Sequence, residues 1–239
     1  MERSRNQVDD FFVIGTDTGV GKSVVSLLLM RHFHDQGLRP FYLKPFQTGC
    51  VNPYDADSDA RFVYSHVDAL RGGDPAESVV YCFPEPKAPF FAARNAHKPI
   101  DINQPQAVLS GKRLEYAPVV LEAAGGLMVP ITETALMIDI VAATDARPVL
   151  VARAGLGTIN HTLLSLKILK QRGTRTPAIV FVDASQTPTP DDMVRENIEA
   201  VEKFSGIRVS GVIQKIDDFS NPPEYCRQIV QQLTMPDQG

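Results

Sequence analysis

The chain has 239 residues, a hydrophobic content of 44% and a formal net charge of -4 at pH 7. The length suits one sizeable globular domain with its own core, here taken as 1–239. The acidic balance argues against nucleic acid or an anionic membrane as partner, and no apolar run approaches the ~20 residues that span a bilayer.

Residues 1–10 are charged, lack an apolar signal core and read as a frayed lead-in. FFVIG (11–15) reads as a strand, followed by a helix over 22–36 closed by Gly37. PFYLK (40–44) is a second strand, and a helix is expected over 59–70. SVVYCF (78–83) is strand-like, whereas 84–105 carries five prolines and reads as loop. APVVLE (117–122), ARPVLVA (146–152), PAIVFVD (177–183) and RVSGVI (208–213) complete the apolar runs. Helices are expected over 157–173 and 190–204, with another in the C-terminal segment after Ile213. Alternation of this kind predicts an α/β fold, a mainly parallel sheet with helices on both faces. Such sheets place their sites at the C-terminal ends of strands. Cys50, Cys82 and Cys226 are far apart in sequence and form no metal spacing or disulfide set, which suits a reducing cytoplasm.

The segment GTDTGVGKS joins the first strand to the first helix and has the parts of a Walker A phosphate loop. Backbone N–H groups from Thr18, Gly19, Val20 and Gly21 onward would face phosphates at the helix start. Lys22 would neutralise the β- and γ-phosphates, and Ser23 would hold Mg²⁺. The spacing is one residue long: five residues separate Gly15 from Gly21, and Thr16 stands where the first glycine is expected. The plain alternative is a tight strand-to-helix turn with a solvated lysine. Glu122 ends a buried run and can serve as a metal carboxylate; otherwise it is a strand-terminal charge reaching water. Asp59 is a candidate second carboxylate, with Asp55 and Asp57 competing in the same acidic turn. Lys44 ends FYLK, and aimed into a phosphate site it would meet developing negative charge beyond the reach of Lys22.

Taken together, GTDTGVGKS, KPFQTG, SDA, EAAGG, GLGTINHTLL and VSGVI occur in the order seen in dethiobiotin synthetases, and the chain resembles that family from about 11 to 213. The resemblance implies a P-loop NTPase fold, a homodimer and a reaction of biotin biosynthesis. ATP, CO₂ and 7,8-diaminopelargonate would yield dethiobiotin, ADP and phosphate through a carbamate and a carbamic–phosphoric anhydride. It assigns Lys22, Lys44 and Thr18 to catalysis, and Ser23, Asp59 and Glu122 to Mg²⁺. It places Thr48 near the carbamate. It gives the substrate carboxylate to the helix start at Gly157 and Thr158, with Asn160 reaching across from a neighbouring subunit. Three departures stand out. Gly19 replaces a glutamate that some members carry, and Gln214 and Lys215 stand where a proline and an aromatic are common. Asp183 stands where a family asparagine recognises adenine, and its loss of a donor implies relaxed base selectivity. A partition-type switch ATPase of the same fold would carry a signature lysine where Asp17 stands. A regulatory nucleotide-binding domain would not require Lys44, Thr48 or Asn160.

Overall fold

The structure is a computed structural model and describes residues 8–235. Seven strands, β1 (Phe11–Gly15), β2 (Phe41–Thr48), β3 (Val79–Phe83), β4 (Val119–Gly126), β5 (Arg147–Arg153), β6 (Ala178–Asp183) and β7 (Val209–Gln214), form one sheet. Its order is β3-β2-β4-β1-β5-β6-β7, and every neighbouring pair is parallel. The helices are α1 (Lys22–Asp35), α2 (Asp59–His66), α3 (Pro89–Asn95), α4 (Gln104–Lys112), α5 (Met137–Ala143), α6 (Thr158–Gln171), α7 (Asp191–Ser205) and α8 (Glu224–Thr234). The expected parallel α/β architecture is therefore present.

Both faces of the sheet are buried, which is why its strands read as near-continuous apolar runs rather than alternating ones. Phe12, Ile14, Leu43, Leu121, Leu150 and Phe181 form one face, packed with residues of α3 to α7. Phe11, Val13, Tyr42, Val120, Val149 and Val180 form the other, packed with α1, α2 and α8. Each fully buried aliphatic or aromatic side chain of this kind contributes about 2 kcal/mol. Side chains alternate along a strand, so Lys44 follows Tyr42, and Glu122 follows Val120, onto the α1 face. The register pairs Leu43 with Leu121, which sets Lys44 beside Glu122.

Several boundaries differ from the sequence reading. Residues 1–7 of the expected frayed lead-in lie outside the described residues, but 8–10 are tied down. Asp10 is buried, accepts from Val119 N at 2.7 Å and pairs with Arg113 Nε at 2.6 Å. Asp9 pairs with Arg175. The expected helix over 59–70 ends at His66, and a short 3₁₀ turn, Asp68–Leu70, follows. The segment 84–105 is not all loop: it contains α3 and the start of α4. Its prolines misled because Pro89 and Pro105 occupy the first turn of each helix, where a missing N–H costs nothing. Helix α5 was unforeseen.

Strand β2 continues to Thr48 through Pro45. Its pairing with β4 ends at Leu43–Leu121, while pairing with β3 continues to Thr48–Phe83. Pro45 thus falls beyond the last β4 pair. That β2–β3 register also brings Cys50 and Cys82, distant in sequence, to 3.6 Å between their sulfurs as free thiols.

Candidate active site

The strand order reverses at β1, where one crossover runs to β2 and the later chain continues outward through β5. A crevice at such a point, at the carboxyl ends of the strands, is the usual ligand site of an open α/β sheet. Here a cavity of ≈ 720 Å³ is lined by Thr18, Lys22, Lys44, Thr48, Asp59 and Glu122, among others.

The phosphate loop is a strand-to-helix turn with little room to spare. A Cβ on Gly15 would come within 2.7 Å of Asp17 O and 3.0 Å of Lys22 Nζ. Gly21 adopts φ 95°, in the left-handed region, and a Cβ there would meet Val182 at 2.8 Å. Gly15 therefore supplies close approach beneath the loop, one residue earlier than the strict motif places it. Helix α1 has no side-chain cap at its start, so its first N–H groups remain available to an anion. Val20 is buried against the α1 side of the core, so it can offer the site only its backbone. Lys22 Nζ donates to Asp17 O at 2.9 Å, folding the lysine back over the loop. Burial first, then the neighbouring Lys44 ammonium, pull Lys22 down to about 8, against the opposing pull of Glu122, Asp59 and Asp17.

The carboxylates meet at Ser23. Its single O–H proton is shared between Asp59 Oδ1, 2.7 Å from Oγ, and Glu122 Oε1, at 2.9 Å. Glu122 is fully buried, and its Oε2 accepts from Ser26 Oγ at 2.8 Å and Tyr42 OH at 2.9 Å. Lys44 Nζ lies 2.7 Å from Asp59 Oδ2 and 2.8 Å from Glu122 Oε1. Burial opposes the charge of Lys44, but Asp59 and Glu122 overcome it and raise the lysine above its usual range. Burial would likewise lift Asp59, yet Lys44 and Ser23 hold it below the ordinary carboxylate value.

Asp59 is placed by its helix end. Ser58 Oγ caps α2 by accepting from Arg61 N at 3.3 Å, and Gln47 Oε1 accepts from Asp59 N at 3.1 Å. The competing acids are elsewhere: Asp55 Oδ2 is taken by Val51 N and Asn52 N, and Asp57 is exposed. One hydroxyl and two carboxylates make an all-oxygen donor set of the kind that suits Mg²⁺, which takes few protein ligands and fills the rest with phosphate and water.

The remaining expected residues do not all converge here. Thr18 and Thr48 line the cavity. Gly157, at φ 88°, and Thr158 open α6, which also lacks a side-chain cap, but neither they nor Asn160 line that cavity. Asn160 is exposed, and Thr158 Oγ1 bonds Thr162 Oγ1 at 3.3 Å. Asp183 is also not directed as expected. Its Oδ1 accepts from Ser185 Oγ and its Oδ2 from Thr189 N at 2.7 Å, so the carboxylate is taken up by the loop after β6. Burial would raise it, but these hydrogen bonds outweigh burial and lower it.

Sequence reasoning missed the braces. Arg153, the last residue of β5, donates to Thr18 O at 3.0 Å and lies 3.7 Å from Asp17, gripping the phosphate loop from the side. Asn197 on α7 donates to Ala154 O at 2.8 Å and supports the turn into α6. Arg153 ends a strand and could have been flagged by position. Tyr42, Ser26 and Asn197 carry no local signal.

A family model described as an AAA domain matches residues 9–223. Among solved structures, the MinD cell division protein of Aquifex aeolicus superposes with a TM-score of 0.59 at 13% identity, covering 95% of this chain and 96% of that one. A ParA family ATPase from Chlorobium tepidum TLS gives 0.55 at 15% identity. These show the P-loop NTPase fold. Closer in sequence is an ATP-dependent dethiobiotin synthetase BioD from Paramagnetospirillum magneticum, 38% identical over 209 residues, covering 86% of this chain and 87% of the relative. Another, from Anaeromyxobacter sp. (strain Fw109-5), is 37% identical over 220 residues, covering 90% and 94%. With that identity along most of its length, and the phosphate loop, acidic pair and second lysine in one crevice, the chain belongs to the ATP-dependent dethiobiotin synthetase family.

Proposed function

We propose that the chain closes the cyclic urea of dethiobiotin from 7,8-diaminopelargonate, CO₂ or bicarbonate, and ATP, releasing ADP and phosphate. The observation that carries this reading is the meeting of Lys22, Ser23, Lys44, Asp59 and Glu122 in one crevice at the carboxyl ends of the strands, in a chain of this family.

An anionic carbamate must approach an anionic nucleotide, so positive charge has to be concentrated where they meet. Lys22, on the phosphate loop, serves the transferring phosphoryl group. Lys44, across the cavity, serves the carbamate, and Thr18 and Thr48 line the same space as hydroxyl donors. A carbamate oxygen attacks the γ-phosphorus and ADP leaves. The second amine then attacks the carbonyl carbon of the mixed anhydride and expels phosphate. No enzyme-bound covalent intermediate is needed, since positioning and charge supply the catalysis. Ser23, Asp59 and Glu122 would hold Mg²⁺, which when bound offsets phosphate charge and aligns the oxygens.

The substrate carboxylate falls to the uncapped start of α6, Gly157 and Thr158, with Asn160 contributed between subunits of a homodimer. Exposed Leu156, Leu164 and Met128 support a partner on that side; Leu164 and Met128 share one groove. The base falls to the loop after β6, where Asp183 acts by shaping the backbone through Ser185 and Thr189. Two observations bear on where such a protein works: no helix among the described residues is long and apolar enough to cross a membrane, and the cysteines are free thiols. Free thiols fit a cytoplasmic enzyme, and the net charge of -4 fits one without nucleic-acid partners. Against a switch ATPase, Asp17 stands in place of the signature lysine and its carbonyl receives Lys22.

The test is phosphate release with and without diaminopelargonate and bicarbonate, with the organic product weighed by mass spectrometry. Hydrolysis indifferent to the diamine, with no cyclic urea formed, would overturn the proposal.

A further inference from the structure

Lys44 is held by two carboxylates at once. Its ammonium lies 2.7 Å from Asp59 Oδ2 and 2.8 Å from Glu122 Oε1, and it donates to Ala123 O at 3.2 Å. A lysine has three N–H donors, and this geometry uses them all. The lysine is 3% exposed and Glu122 is 0% exposed, so water screens the group little. The same two carboxylates receive Ser23 Oγ, at 2.7 and 2.9 Å. The ammonium therefore sits within the oxygen set that would ligate a divalent cation. A lysine so engaged has no donor left for a substrate anion.

We infer that Lys44 is the internal counter-cation of the metal-ligating carboxylates, and that a divalent cation arriving with the nucleotide displaces its ammonium toward the acidic substrate. A fully buried carboxylate, Glu122, and a part-buried one, Asp59, sharing a hydroxyl need a positive partner, because leaving the buried charge uncompensated is costly. Lys44 supplies that partner. Lys22 is turned instead to Asp17 O. Once a divalent cation binds the carboxylates, their pull on Lys44 weakens and the cation itself repels the ammonium. Lys44 also lines the cavity, so an anion bound there is the partner left to it. This role rests on the ligase reading.

The experiment uses nucleotide-free protein and Mn²⁺ as the probe. Free Mn²⁺ is counted by electron paramagnetic resonance during titration, and thermal melting is followed in EDTA and in Mn²⁺. The proteins are wild type, Lys44→Met, and Lys44→Met combined with Asp59→Asn. Lys44→Met is expected to bind Mn²⁺ at least about tenfold more tightly than wild type, because no ammonium must be displaced. In EDTA its melting temperature falls by roughly 5 °C or more, and Mn²⁺ restores most of the loss. The double variant regains stability without metal and loses the extra Mn²⁺ affinity. A Lys44→Met protein that folds only when Mn²⁺ is supplied is the extreme form of the expected result. Equal Mn²⁺ affinity in wild type and Lys44→Met, equal melting in EDTA, or a variant still unfolded in millimolar Mn²⁺ would each overturn the inference. Product formation by the wild type is scored separately. A wild type that makes no dethiobiotin fails the ligase reading, while the Mn²⁺ titration still decides the role of Lys44.

Discussion

At the phosphate end of the site, Ser23, Ser26, Tyr42, Lys44, Asp59 and Glu122 are joined in one hydrogen-bonded network centred on the buried Glu122. At the start of α6, Gly157 and Thr158 open an uncapped helix, and Asn160 faces outward from the chain. The first region is closed among residues of one chain; the second is an uncapped helix start whose residues do not line the main cavity. A network closed on itself is rigid, and losing one member strands the others, so its variants should fail in chemistry and in stability together. An open helix end is cheap to alter, so its variants should fail in binding alone. Substitutions can separate the two.

The largest effect is expected for Lys22→Ala and Glu122→Ala, which should each lower kcat at least about a hundredfold through lost charge stabilisation. Glu122→Ala should also lower the melting temperature, because Ser26, Tyr42 and Lys44 lose their acceptor. Steady-state kinetics beside thermal melting reads both, and near-normal kcat in either variant would break the assignment of this end.

Next is Lys44→Gln. It should retain nucleotide binding in calorimetry while diamine-dependent turnover falls on the order of a hundredfold, as for loss of one group that meets developing charge. Collapse of nucleotide affinity with ligation intact would reverse the roles of the two lysines.

Asn160→Ala tests the open end. KM for the diamine should rise by roughly tenfold or more, the scale of one lost hydrogen bond to a charged group, with KM for ATP and the melting temperature little changed. Ultracentrifugation of the wild type should show a dimer; a fully active monomer would place the substrate tail elsewhere.

The smallest effect is expected at Asp183. Because its carboxylate already accepts from Ser185 and Thr189, Asp183→Asn should shift KM for ATP only a few-fold, about one neutral hydrogen bond, and leave the ranking of ATP, CTP and GTP as in wild type. A change in that ranking would return Asp183 to direct base recognition. The linkage has a defined sign. The folded carboxyl is lowered, so its stabilising contribution is present above the ordinary value near 3.8 and is lost as pH falls through the lowered one. Acid unfolding of Asp183→Asn should lack that portion of the pH dependence.

Much was legible from sequence where function is local. The loop 15–23 needs only a strand, glycines at two tight positions and a helix start, all contiguous, so its place could be read directly even with the extra residue. The alternation of apolar runs and helical segments was enough for the parallel sheet, because strands buried on both faces must be apolar throughout. Helices α3, α4 and α5 escaped notice for a local reason as well: they are short, and prolines that open α3 and α4 look like breakers when the first turn is not recognised.

What tertiary structure alone decided is which distant groups touch. Glu122 stands beside Lys44 because β4 pairs with β2 in a register that matches Leu121 to Leu43, and a slip of one residue would send the pair to opposite faces. Asp59 prevails over Asp55 and Asp57 because Ser58 and Gln47 fix the start of α2 at that residue. Asp183, expected at the base from its place at a strand end, has its carboxylate captured by its own loop, and a short-range hydrogen bond is invisible in residue type alone. Sequence therefore determines the elements and the chemistry each carries, since these depend on neighbours along the chain. Partners across the sheet depend on register and on which face a side chain takes, and those are properties of the folded whole.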